Sequence, residues 1–167
     1  MALNRKHDSI KHLAKAEQIF EQDIYSSGER FWYGAELMQT QAAIYSYLDD
    51  RKAISDMWSR QLRLLPDLNT LAESRSWGLA DSSKQKSHTL AHDQRTQQAF
   101  MRMIRLGISE RNFVHANQFL QRYLEMLIAY RPLTVRCVLE ELRRVSMQPE
   151  IPPSSKSLLN KIFALQT

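Results

Sequence analysis

The chain has 167 residues, 43% of them apolar, with four Gly, five Pro, one Cys and a formal charge of +5. That length and apolar content suffice for an ordinary core without covalent staples, and a lone Cys137 excludes an internal disulfide and every zinc site that needs two thiolates. No apolar run approaches the roughly eighteen residues of a membrane span, and "MALNRKHDSIKHLAKAEQ" lacks a signal-peptide core, so a soluble, cytoplasmic protein is expected.

Scarce helix breakers and abundant Leu, Ala, Gln, Arg and Glu predict an all-α fold, a bundle of about six to eight helices. Ile10, Leu13, Ala16, Phe20 and Ile24 recur at helical spacing, as do Phe31, Ala35, Met38, Ala42, Tyr45 and Leu48, with a break near Ser26-Ser27-Gly28. The two stretches read as a helical hairpin. Phe31 is expected inside, and Trp32 and Tyr33 less so, because three adjacent residues on a helix cannot all face inward. A third helix carries Ile54, Trp58, Leu62 and Leu65, opens after Asp49-Asp50 and ends at Pro66, and Asp67 is placed to cap a short fourth through Arg75.

The polar stretch "SWGLADSSKQKSHT" reads as a loop, so the expected organisation is a helical half over 1–75, a linker over 76–90 and a basic helical half over 91–167. In that second half a helix from about Ala91 should break at Gly107 and restart with Ser109 as N-cap. Phe113, Ala116, Leu120, Leu124 and Leu127 form the restarted helix's apolar stripe. Pro132 should open the next helix, with Val135, Val138, Leu142 and Val145 inward, and Ser154 or Ser155 should cap the last. No fixed-period repeat is present.

Charge divides unevenly. Residues 1–83 carry ten Lys and Arg against twelve Asp and Glu, whereas 84–167 carry thirteen against six. The excess is mostly Arg, whose planar fork suits phosphate. Helical spacing aligns Arg111, His115, Gln118 and Arg122 away from the apolar stripe, with Arg102 and Arg105 just before it and Arg136 and Arg143 on the next helix. These eight residues are the expected nucleic-acid contacts, reaching phosphates of DNA or RNA. The same charge would suit an acidic protein partner.

The "RLGIS" junction has the Gly, apolar residue and capping Ser of a helix–turn–helix. "RLGISE" also resembles a segment in the smaller subunit of the flagellar master activator and related mobile-element activators, which implies a helical transcription regulator. "RNFVH" resembles the Arg-Asn…His motif of HEPN ribonucleases, which implies Arg111 for phosphate charge and His115 for proton transfer, although one residue fewer separates them here. His88 and His92 stand one helical turn apart, but the Glu of the zincin motif is absent and no third ligand is evident. His92-Asp93 resembles the HD phosphohydrolase dyad, yet no later Asp follows to complete it. No glycine-rich phosphate loop and no Ser/His/Asp order stands out.

The expectation is therefore a non-enzymatic, cofactor-free and metal-free helical protein associated with nucleic acid, as a regulator or a small subunit of a nucleoprotein complex. A protein-only adaptor comes second and a HEPN-like ribonuclease third. A protein partner or a homo-oligomer fits either of the first two readings, and no membrane is implied.

Overall fold

Apolar residues at helical spacing become helices in the computed structural model, which describes residues 2–22, 27–71, 82–130 and 139–164. They are α1 (Ala2–Phe20), α2 (Ser27–Leu48), α3 (Arg51–Arg63), α4 (Ser82–Ser109), α5 (Phe113–Tyr130), α6 (Leu139–Ser146) and α7 (Pro153–Ala164). A single helical turn, 68–71, lies between α3 and α4. No strand occurs among the described residues, and the chain is all-α. Two compact units result, Met1–Pro66 and Asp67–Thr167.

In the first unit α1 and α3 both pack on α2. Leu13, Phe20, Phe31, Ala35, Met38, Ala42, Met57 and Trp58 are buried there, and Tyr33 turns outward, as three adjacent aromatics require. Gln61 is buried as well; its Nε2 donates to the Phe31 carbonyl at 3.0 Å. Gly34 makes room for it, since a Cβ there would collide with Gln61 Oε1.

A second polar cluster ties the three helices together. Glu17 of α1 accepts from Gln41 Nε2 and, at 2.6 Å, from the Tyr45 hydroxyl of α2, with Arg60 of α3 at 3.9 Å. Burial first, and then the Glu17 carboxylate, push the Tyr45 phenol up to about 12. The unfolded chain sheds this proton from about pH 10, while the folded chain keeps it until about pH 12, so stability declines across that window. The melting temperature should accordingly fall more steeply above pH 10 in the wild type than in Tyr45→Phe. Parallel slopes would refute the coupling.

The α2–α3 and α4–α5 junctions turn on the same device. At the end of α2, Asp49 takes a positive φ of 53°, its N–H donates to the Ser46 carbonyl, and the Asp50 N–H reaches the Tyr45 carbonyl. Asp50 then caps α3, its carboxylate accepting from Ala53 N at 2.9 Å. Between α4 and α5, Arg111 takes φ 56°, its N–H donates to the Ile108 carbonyl, and the Asn112 N–H reaches Gly107 at 2.7 Å. These are Schellman closures, which satisfy the orphan carbonyls of a helix end and place a left-handed residue just past it.

The break expected at Gly107 therefore falls three to four residues later. Ser109 does not cap α5; it is the last residue of α4, and its hydroxyl donates to the Leu106 carbonyl at 2.9 Å. Asn112 stands at the start of α5 instead, its carbonyl accepting from Ala116 N. Left-handed backbone costs an L-residue about 1–2 kcal/mol, and Asp tolerates it better than Arg. Arg111→Gly should thus raise stability by about 1 kcal/mol in urea unfolding, and a loss would show that the Arg side chain contributes more than its backbone costs.

In the second unit α5 packs on both α4 and α7, and α6 packs on α7. Ala116, Leu120, Leu124 and Leu127 are buried as expected. Phe113 is only half-buried, whereas Phe119, Tyr123 and Met126 join the core because α5 has a neighbour on each side. Phe100 of α4 stacks on Tyr123 with ring centres 5.2 Å apart.

Other boundaries shift for physical reasons. No Gly or Pro interrupts 82–106, so α4 starts at Ser82 and helix occupies the last nine residues of the stretch read as a 76–90 linker; 76–81 lie outside the described residues. Asp67 caps the turn at 68–71, accepting from Thr70 N at 2.7 Å, and that bond holds its carboxyl below the ordinary range. The expected extension to Arg75, and the helix opening at Pro132 with Val135 and Val138, lie outside the described residues. At α7, Pro153 is the first helical residue, where its missing N–H costs nothing, so Ser154 and Ser155 lie within the first turn.

Candidate functional site

The boundary at Pro66 places the charge more sharply than the sequence halves do. Residues 1–66 hold nine basic and nine acidic side chains, while 67–167 hold fourteen and nine, so the whole +5 belongs to the second unit. The question is whether the arginines there form an open basic face.

Three of the eight expected contacts sit in ion pairs with the chain's own carboxylates. Arg105, near the end of α4, meets both oxygens of Glu141 on α6 through Nε and Nη2, and this bond pushes its guanidinium further up. Arg143 donates to Glu140 at 2.6 Å along α6, and Arg122 lies 3.6 Å from Glu125 along α5. Pairs at the surface contribute at most about 1 kcal/mol each, but a phosphate must displace the carboxylate to use the arginine.

The stripe drawn through Arg111, His115, Gln118 and Arg122 does not survive as one helical face. Arg111 is exposed in the turn before α5, outside the helix whose geometry aligned it. His115 is half-buried with Nδ1 2.8 Å from Asn112 Oδ1, and burial lowers its pKa, which favours the neutral imidazole. Arg122 is also half-buried and Arg102 lies half within the unit, while Gln118 faces solvent. Arg136 lies outside the described residues. The outward face of α5 is instead Val114, Gln118, Gln121 and Ile128, bordered by the half-exposed Arg122–Glu125 pair, in which Glu125 also accepts from Gln121 at 3.1 Å. Sequence reasoning missed this face by treating α5 as buried on one side only.

The enzyme-like fragments resolve more simply. Asn112 positions the His115 ring at the head of α5, and Arg111 stands in the preceding left-handed turn. His92 and Asp93 are both buried, with Nδ1 and Oδ1 3.8 Å apart, on the inner side of α4. The His88 side chain lies outside those described. Among the described residues no three His, Cys, Asp or Glu side chains gather as a metal site, and no helix is long and apolar enough to cross a membrane. Compared with models of protein families, with curated proteins and with solved structures, the chain matches none.

Proposed function

We propose that the protein is a non-enzymatic helical adaptor, in which the charge-balanced first unit provides protein contact through an outward helix face. The observation that carries this reading is where the uncharged surface lies. Tyr47 on α2 of that unit is 75% exposed on a face with few charges, whereas Arg105, Arg122 and Arg143 of the second unit are paired to glutamates. Interface cores are depleted in charge and enriched in tyrosine, as the α2 face is. A pull-down of the full chain with and without nuclease tests it: a protein partner retained after nuclease treatment is expected, and lost when residues 1–66 are deleted.

One observation favours nucleic acid as the second reading: the entire +5 lies in 67–167, with Arg95, Arg111 and Arg144 exposed. If Arg102, Arg105, Arg111 and Arg122 contact phosphates, log affinity falls with log salt at a slope of about −3 to −4. Arg111→Glu with Arg122→Glu would then weaken binding to all sequences alike. Capture that disappears with nuclease, together with that salt slope, would put this reading first and remove the adaptor.

A further inference from the structure

We propose that Ser146 is a phosphorylation site, the acceptor for a serine kinase that selects paired arginines before its target and an apolar side chain after it. The site lies in the second unit and depends on neither functional reading. Residues 143–147 read Arg-Arg-Val-Ser-Met, and Arg143-Arg144 is the only pair of adjacent arginines in the chain. Kinases distinguish substrates largely by such charge patterns: cationic side chains at fixed offsets settle in acidic subsites while the target hydroxyl reaches the catalytic carboxylate.

Ser146 is the last of the eight residues of α6, and the chain then turns, with the Met147 N–H on the Arg144 carbonyl at 3.3 Å and the Gln148 N–H on the Val145 carbonyl at 3.0 Å. Arg143 and Arg144 are exposed, and Met147, at 80%, is the most exposed large apolar side chain among the described residues. A methionine so placed contributes little to the core, and it is the group that an apolar pocket beyond the target serine would take. The Ser146 hydroxyl donates to the Arg143 carbonyl at 2.6 Å and Val145 is buried, so the segment must leave its last helical turn to lie extended across a kinase. So short a helix is marginal by itself and opens locally from its end. Ser146 Oγ then attacks the γ-phosphorus of ATP, the bond from that phosphorus to the β–γ bridging oxygen breaks, ADP leaves with that oxygen, and the hydroxyl proton passes to the kinase's carboxylate. The product carries a charge of about −1.5 to −2 at pH 7 and has no hydroxyl left to donate to the Arg143 carbonyl. Arg143 stands three residues after Glu140 and three before Ser146, so its guanidinium exchanges the Glu140 carboxylate for the more highly charged phosphate.

The full chain tests this with labelled ATP and the catalytic subunit of cyclic-AMP-dependent protein kinase as the probe. It should take up one phosphate, located by mass spectrometry at Ser146 in the tryptic fragment 145–156. Arg143→Ala and Arg144→Ala should each slow uptake about ten-fold or more, the worth of one charge-assisted contact to the kinase. Val145→Ala should instead speed it about ten-fold, because less apolar surface leaves the core when the turn opens. Circular dichroism of each variant separates these effects from a loss of fold. Uptake that persists at the wild-type level in Ser146→Ala would overturn the proposal, as would a native chain that takes up no phosphate while a control peptide does.

Discussion

Gly107→Ala should cost the second unit about 1–3 kcal/mol, the usual penalty for overpacking a close contact. A Cβ at 107 would stand 2.7 Å from Ala116 Cβ, and 3.1 and 3.2 Å from the Ala116 Cα and N. Two of those three atoms are backbone, so no rotamer change relieves them; α4 and α5 must move apart. That movement would loosen the Phe100–Tyr123 stack as well. Urea unfolding should show a lower midpoint, and Ala116→Gly should recover part of the loss by removing the nearest atom. Full recovery would mean that backbone contact contributes nothing. No change in Gly107→Ala alone would show that the two helices do not approach this closely.

The same glycine shows what the sequence could and could not disclose. Gly is both the residue of left-handed turns and the residue of close helix contact, and at 107 the second use holds. The turn falls instead on Arg111, which no propensity marks as a turn residue. Where punctuation is unambiguous the reading holds: Asp49-Asp50 and Pro66 bracket α3, and Asp67 caps the turn that follows. The pairs Arg122–Glu125 and Glu140–Arg143 lie three residues apart and were legible in spacing alone. Arg105–Glu141 joins residues 36 apart, which only the fold brings together. The outward face of α5 was hidden for a related reason, because a helix gripped from two sides buries a wider arc than one apolar stripe reveals.

Trp58→Ala should be the costlier substitution, at about 3–5 kcal/mol, the range for truncating a large buried aromatic. Trp58 is 1% exposed and heads the fully buried side chains by volume. α3 has thirteen residues, near the length below which a helix is marginal by itself, so packing rather than propensity must hold it on α2. Its other attachments are modest: the Asp50 cap is worth about 1 kcal/mol and the Gln61 bond to the Phe31 carbonyl about as much. Trp58 with Met57 is therefore the main anchor, and against a typical domain stability of about 5–15 kcal/mol its loss leaves little. Amide exchange should locate the damage, with protection falling first in α2 and α3; Trp58→Phe, which keeps an aromatic ring in place, should lose less. An Ala variant with unchanged protection in α3 would mean that the cap and Gln61 suffice.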